Sequence, residues 1–216
     1  MTPKSYLSYS QMSVFERNPQ EYADRYLYGK KQRISRNLKL GSDLAEGLEA
    51  GEATGNPLLD LVASRLPKFE LMDQQILDEK GIEIFFERDK KKIKVPYLED
   101  KKEKIPLLAL PDTLHPTYSA FKEFKTSTKK WTQKQADESG QITFYATAIW
   151  LAKGFLPGDI ELICATTEYD TEGRLRPTGD IWPIPTKRTL ADIIKMTARI
   201  RRAWAGIKEL CEKELI

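Results

Sequence analysis

The sequence of 216 residues predicts a mixed α/β domain in which helices flank a central sheet. Two apolar stretches, residues 107–110 and 118–125, have the composition of neighbouring buried strands. Residues 160–168 and 174–184 alternate in the same way around a Glu-Gly turn, which predicts a hairpin. Strands that are followed by strongly apolar helical patterns are typical of an α/β fold.

The N-terminal part of the chain is predicted to be helical. Ser8 or Ser10 caps the first helix, and Pro19 begins a second turn or helix. Residues 41–50 and 57–66 have the apolar spacing of two further short helices.

Strands and two long helices are predicted for the remainder. Strands are predicted within residues 69–95, most clearly over 81–88, where Ile82, Ile84 and Phe86 alternate with charged side chains. A polar and basic stretch separates the strand that ends near residue 125 from an apolar helix over 141–151. A final helix is predicted over 189–215, with Thr186 or Thr189 as its cap.

The composition narrows the function classes. Hydrophobic residues make up 40% and charged residues 31%, which is ordinary for a soluble protein. We find no apolar run long enough to cross a membrane and no signal-peptide core, so a cytoplasmic location is expected. The net charge of +3 gives no overall basic character, so a nucleic-acid site would need local clustering.

A carboxylate followed two residues later by lysine is one half of a phosphodiester-cleaving site, and this spacing occurs five times in the chain. Four of the matches lie in charged, turn-like sequence and indicate surface charge. The fifth, Glu123 with Lys125, ends a strand, so both side chains face one way while Phe124 points into the core. Hairpin pairing brings Asp112 beside Glu123. The two carboxylates either bind a divalent metal or form a salt bridge with the lysine.

A helix after this strand carries Gln141 and Tyr145 on one face, because the two residues are four positions apart. From that face they can contact a scissile phosphate or brace Lys125. A polar helix start and a half-buried tyrosine explain the same two residues without any function.

At these motifs the chain resembles the PD-(D/E)XK nuclease superfamily, most closely the RecB-type exonuclease branch that includes CRISPR-adaptation nucleases and phage exonucleases. The resemblance spans nearly the whole chain. It implies a restriction-endonuclease-like core as one domain over residues 1–216, with a family-variable insertion at about residues 57–104. The motifs that carry it are Ser8-Tyr9-Ser10-Gln11, Gly41-Ser42-Asp43-Leu44-Ala45-Glu46, Pro111-Asp112, Glu123-Phe124-Lys125-Thr126-Ser127 and Gln141-Ile142-Thr143-Phe144-Tyr145.

The resemblance implies a site for Mg²⁺ or Mn²⁺ and a hydrolytic reaction on DNA. Asp112, Glu123 and the backbone carbonyl of Phe124 would hold the metal, and Lys125 would assist the attack of water on phosphorus. Gln141 and Tyr145 would support the substrate and the lysine. The implied catalytic set is Asp112, Glu123, Lys125, Gln141 and Tyr145.

The chain departs from the family pattern at two positions. Ala45 stands where family members usually carry a metal-binding histidine. Either Glu46 or Glu49 replaces that ligand, with Glu46 favoured, or both glutamates are surface charges. Asn18 stands where cluster-bearing relatives have cysteine, and the two cysteines of the chain are too few, so no iron–sulfur cluster is expected.

A basic segment with an indole follows the Lys125 strand. Lys129, Lys130, Trp131 and Lys134 are candidate DNA contacts, because lysines track a phosphate backbone and an indole stacks on a base. A solvated loop with one packed tryptophan is the alternative.

Two functions follow from these observations. The first is a metal-dependent deoxyribonuclease that acts on DNA ends or single strands. The second is a nuclease fold with weak or no catalysis that acts by binding nucleic acid or protein, which the missing histidine at Ala45 favours.

Overall fold

The computed structural model describes residues 5–31, 39, 75–77, 83–84, 94–95, 97–99, 103–115 and 117–213. The helices expected at 41–50 and 57–66 lie outside the described residues. In chain order the described elements are β1 (Leu7–Ser8), α1 (Tyr9–Arg17), α2 (Pro19–Tyr22), a π-helical turn (Ala23–Leu27), β2 (Gln75–Leu77), β3 (Glu83–Ile84), β4 (Lys94–Val95), β5 (Tyr97–Glu99), β6 (Lys104–Leu108), β7 (Thr113–Leu114), β8 (Ala120–Ser127), α3 (Gln133–Asp137), α4 (Gly140–Lys153), β9 (Asp159–Tyr169), β10 (Leu175–Thr186) and α5 (Leu190–Lys213).

The caps of the first two helices follow from short polar side chains. The Ser8 hydroxyl accepts a hydrogen bond from the Gln11 amide, which confirms Ser8 as the first cap. The Asn18 side chain accepts from the amides of the next helix, whose first residue is Pro19. Proline is favoured there because its missing N–H would have no partner in the first turn.

The central sheet is mixed, as predicted, and has the strand order β10-β9-β8-β7. Strands β8 and β9 are parallel over eight residue pairs, and the crossover between them contains α3 and α4. The other two pairings are antiparallel, and β9 with β10 forms the expected hairpin. Pro183 and Pro185 are tolerated in β10 because it is an edge strand of this sheet.

The strand expected at residues 107–110 does not pair with β8. It is β6, which ends at Leu108 and pairs with β1 and β5 in a separate three-stranded sheet. The chain changes sheets between residues 109 and 112, and of the segment that follows only Thr113 and Leu114 pair with β8.

Residues 69–95 were expected to contain strands, and the described residues of this region all lie in strands β2, β3 and β4. Strand β2 pairs with both β3 and β4 to make a third small sheet.

Helix α4 lies beneath the central sheet and is enclosed on all sides, because its residues 144–149 are all buried. Helix α5 packs against it through a buried stripe that includes Ile193, Ile200 and Ile207. Thr189, not Thr186, caps α5, since its hydroxyl accepts from the Asp192 amide. No helix in the described part of the chain has the length and apolar character needed to span a bilayer.

Candidate active site

Asp112 and Glu123 meet at the junction of β7 and β8. The antiparallel pair Thr113 with Lys122 sets the register that places them side by side. The Asp112 Oδ2 atom accepts a hydrogen bond of 2.6 Å from the Phe124 amide. That bond holds the carboxylate immediately before β7 begins, where the strand pairing with β8 stops.

Glu123 is a buried carboxyl group with only 2% of its surface exposed. Burial raises its pKa to about 8, the Lys125 ammonium opposes that rise, and the Asp112 carboxylate adds to it. Its Oε2 atom accepts no hydrogen bond from the described residues, and the Asp112 carboxylate lies close by. An orphaned acceptor of this kind, beside a second carboxylate, is a place where a cation would be stabilised.

Lys125 joins the strand to the helix beneath it. Its Nζ atom donates to Glu123 Oε1 at 2.5 Å and to Gln141 Oε1 at 2.9 Å. The side chain is 26% exposed, so its ammonium is fixed by the protein while still open to solvent. The predicted shared face of Glu123 and Lys125 is confirmed.

Gln141 and Tyr145 share one face of α4, as their spacing predicts. The Gln141 Nε2 atom donates to the Tyr145 hydroxyl at 2.7 Å. Burial first, and then the nearby Glu123 charge, raise the pKa of Tyr145 well above its usual value, so the phenol stays protonated. Its ring meets Phe121 of β8 edge-on, with the centroids 6.0 Å apart. The two residues brace the lysine from below.

Phe124 does not point into the core as expected. It is half-buried, whereas the acidic Glu123 beside it is buried. The cause is that α4 covers the face of β8 that carries Glu123, while the Phe124 face carries the ion pair between Lys122 and Glu161. The more enclosed face of this strand therefore holds the charged groups of the site.

The residues present fit a divalent metal in part. Two carboxylates converge, and one oxygen of Glu123 lacks a partner. Among the described residues, no group of three histidine, cysteine, aspartate or glutamate side chains is placed to hold an ion. Glu46, the expected additional ligand, lies outside the described residues, as do Ala45 and Glu49.

The predicted nucleic-acid segment lies in the loop after β8 and the start of α3. Lys129, Lys130 and Lys134 are exposed, and Lys134 pairs with Glu138 at 3.8 Å. Trp131 is half-buried and packs against the core, so the alternative of a packed tryptophan describes it better. The accessible indole is Trp182 of β10, over which the Lys130 Nζ atom lies at 3.8 Å. Sequence spacing could not find Trp182, because its neighbours across the sheet depend on the register of β9.

Arg188 is a second residue that the motifs did not single out. It is 6% exposed, and its guanidinium donates to the carbonyls of Ala136 and Ser139 and to the hydroxyls of Thr143 and Thr186. It therefore ties the end of α3 and the start of α4 to the end of β10. The sequence feature that could have indicated this role is the position of Arg188 just before the N-terminus of α5. A positive charge is unfavourable at a helix N-terminus unless the side chain binds groups away from that helix.

A cleft of about 500 Å³ lies between β5, α4 and α5, away from the candidate active-site residues. Its walls are mainly apolar and include Trp150, Leu190 and Ile194. Among the described residues that line it, Glu99 is the only carboxylate, and Arg201 donates to the Glu99 carbonyl at 3.1 Å. The described lining therefore holds no pair of acids like the pair at the β7–β8 junction.

Comparison with known proteins supports the fold. No family model matches the chain, and no curated protein matches it. Among solved structures, the chain is similar to a protein from Eubacterium rectale that is named a "putative exonuclease", with 15% identity over 98% of this chain and 83% of that one. The TM-score is 0.56. The chain therefore has a nuclease-like mixed α/β fold.

Proposed function

We propose that the chain is a Mg²⁺- or Mn²⁺-dependent nuclease that hydrolyses phosphodiester bonds of DNA, acting at ends or on single strands. The observation that carries the proposal is the contact of Lys125 with both Glu123 and Gln141 beside Asp112. A salt bridge serving stability alone would not require a buried carboxyl group with an orphaned oxygen. The fold of the Eubacterium rectale protein also supports a nuclease.

Asp112 and Glu123 would hold the metal, and the Phe124 carbonyl would complete that side of the site. The Phe124 amide points toward Asp112, and a strand residue directs its N–H and C=O to the same edge. We infer that this carbonyl faces the carboxylates. A bound Mg²⁺ or Mn²⁺ would supply Lewis acidity toward the phosphate and make a nearby water more acidic. Glu46 remains the proposed additional ligand.

Lys125 is the proposed catalytic residue of the chain that acts on the phosphate. An ammonium group has three donors, and two of them are used by Glu123 and Gln141. The third can donate to a phosphate oxygen or to the attacking water, and the positive charge stabilises the negative charge that develops on phosphorus. Because its partners are fixed in the protein, the ammonium does not have to reorganise during the reaction.

Gln141 and Tyr145 are proposed as positioning residues. Gln141 orients the ammonium by accepting one of its hydrogen bonds, and Tyr145 orients Gln141 by accepting from its amide. A carboxamide must present its oxygen to Lys125 and its nitrogen to the phenol at the same time, which allows one orientation only. Two side chains of α4 thereby determine the direction of the Lys125 ammonium.

We also propose that the chain is a member of the PD-(D/E)XK superfamily in its RecB-type branch, as one domain with an insertion at about residues 57–104. The order of Asp112, Glu123, Lys125 and Gln141 along β7, β8 and α4 supports this assignment. The alignment of a solved nuclease-like structure over 98% of the chain is consistent with one domain.

A nuclease assay tests the proposal. Purified protein with Mg²⁺ or Mn²⁺ is expected to cut single-stranded, linear or nicked DNA, and Glu123→Ala and Lys125→Ala are expected to abolish cutting. Lys122→Ala is the matched control, because Lys122 lies on the same strand but pairs with Glu161 on the opposite face. Intact DNA of all three forms would overturn the proposed activity, and RNA is tested in parallel. Equal cutting by all the variants would show that the site is misassigned.

The second candidate is a nuclease fold that binds without catalysis, and one observation favours it. The described residues bring only two carboxylates together at the site. Titration with Mn²⁺ separates the two functions, because a metal that binds the folded state raises its melting temperature. A melting temperature unchanged by Mn²⁺, together with retained DNA binding, would favour the binding protein.

A further inference from the structure

Trp182 lies in one row with the proposed catalytic lysine. Lys125 of β8 pairs with Cys164 of β9, and Cys164 pairs with Trp182 of β10. Directly paired residues point to the same face of a sheet. Neighbouring strands are about 4.8 Å apart, so the Trp182 Cα lies roughly 10 Å from the Lys125 Cα. The indole is therefore on the same face as the candidate active site, two strands away.

The indole is accessible, in contrast to the next residues on its face. Trp182 is 38% exposed, while Ile184 and Thr186, which follow it on the same side of β10, are about 5% exposed. Those two residues are covered by the core and by α3, where Thr186 donates to Asp137. The helices that close this face stop short of Trp182, so part of its side chain faces solvent two strands away from Lys125.

Positive charge accompanies the indole. The loop after β8 lies over Cys164, whose thiol is 4.0 Å from the Lys129 carbonyl. From this loop Lys130 places its ammonium over the Trp182 ring at 3.8 Å. Both lysine side chains are exposed, and within the described residues neither forms an ion pair. An aromatic ring with unneutralised lysines is chemically suited to a base and its phosphates.

We propose that Trp182, Lys129 and Lys130 form a binding subsite for single-stranded nucleic acid. The Lys130 ammonium, which lies over the Trp182 ring at 3.8 Å, moves onto a phosphate when a base stacks on the indole. Lys129 and Lys130 then bind the phosphates that lead from this base to Lys125. The inference rests on the proposed nuclease function and adds the class of substrate. A single strand is favoured over a duplex because its bases are unpaired and can leave the stack to lie on an aromatic side chain.

Binding of a fluorescein-labelled oligo-dT in EDTA tests the subsite without cleavage. Trp182→Ala is expected to weaken binding by between about fivefold and about 150-fold, the range for loss of one base-stacking contact. Trp182→Phe should retain most of the affinity, since a smaller ring can still stack. Lys130→Gln should weaken binding and reduce its dependence on salt. Binding of a blunt duplex should change little in Trp182→Ala.

Two variants serve as matched controls. Tyr169→Ala removes another exposed aromatic of the same hairpin, 57% exposed, five residues along β9 from Cys164. Lys153→Gln removes another ammonium that lies over an aromatic ring, 4.1 Å from the Tyr118 centroid, at the far end of α4. Both are expected to bind oligo-dT as the unaltered protein does.

The outcomes separate this subsite from the proposed activity. If the protein cuts DNA but Trp182→Ala binds oligo-dT as tightly as Tyr169→Ala does, the subsite is wrong and the nuclease stands. If binding depends on Trp182 while no metal supports cutting, the subsite stands and the nuclease is wrong. A protein that neither binds oligo-dT nor cuts it overturns both.

Discussion

Replacing Glu123 with glutamine should stabilise the metal-free protein at pH 8 and change its stability much less at pH 5. The substitution keeps the shape of the side chain and removes a buried charge. Glutamine can still accept from Lys125 through its oxygen, and its new N–H₂ group can donate toward the Asp112 carboxylate. The perturbation therefore affects the protonation of the site more than its packing.

The magnitude follows from the pKa of Glu123, which burial raises from 4.5 to about 8 in the folded protein. Well below pH 4.5 the carboxyl group is protonated in both the folded and unfolded states and gives no pH dependence. As the pH rises toward 8, the unfolded state releases its proton first, so the folded state loses stability relative to it. Between pH 5 and pH 8 this loss is about 3 to 4 kcal/mol, and the glutamine variant does not suffer it.

Urea unfolding in EDTA at pH 5 and pH 8 measures the effect. The free energy of unfolding of Glu123→Gln, minus that of the unaltered protein, should increase by about 3 to 4 kcal/mol between the two conditions. Glu138→Gln is the control, because that carboxylate is 68% exposed and its loss should leave the pH dependence unchanged. A change of less than about 1 kcal/mol in the difference for Glu123→Gln would refute the reasoning.

Three further predictions concern metal binding, the bracing of Lys125 by Gln141 and Tyr145, and the contacts of Arg188. Mn²⁺ should raise the melting temperature more at pH 8 than at pH 6.5, because Glu123 must lose its proton to bind a cation; an equal or larger shift at pH 6.5 would contradict this. Tyr145→Phe removes the acceptor for the Gln141 amide. In single-strand cleavage assays it should lower kcat by about fivefold to tenfold with little change in KM. An unchanged kcat would argue against the bracing of Lys125 by Gln141 and Tyr145. Arg188→Lys keeps the charge but loses the fork of donors, and the free energy of unfolding in urea should fall by about 2 to 4 kcal/mol. The control Arg202→Lys, at an exposed position, should change the free energy of unfolding by less than about 0.5 kcal/mol. Equal effects of the two variants would contradict the role of Arg188 in tying α3 and α4 to β10.

The candidate site could be found from the sequence because its residues are close together in the chain. Glu123 and Lys125 share a strand, and Gln141 and Tyr145 share a helix face, so the two regular periods of secondary structure determine which side chains point the same way. The contact between Lys125 and Gln141 then needed only that the helix packs on the strand before it. Local geometry was sufficient for this part of the site.

The features that were missed depend on which strands are neighbours. The apolar pattern of residues 107–110 predicts a strand, but nothing in it specifies that β6 joins a different sheet from β8. The position of Trp182 beside Lys125 requires the registers of two successive strand pairs. Glutamate is usually exposed and phenylalanine usually buried, but here Glu123 is buried and Phe124 is half-buried. The position of α4, which a strand pattern does not specify, determines this burial.

The contacts around the lysine form a closed circuit. Lys125 binds Gln141, Gln141 binds Tyr145, and the Tyr145 ring returns to Phe121 on the strand from which the lysine projects. Strand and helix are thus connected at two points, one polar and one aromatic, and neither point can shift without moving the other. The packing of Phe121, a hydrocarbon side chain, therefore helps to determine the direction in which the Lys125 ammonium points.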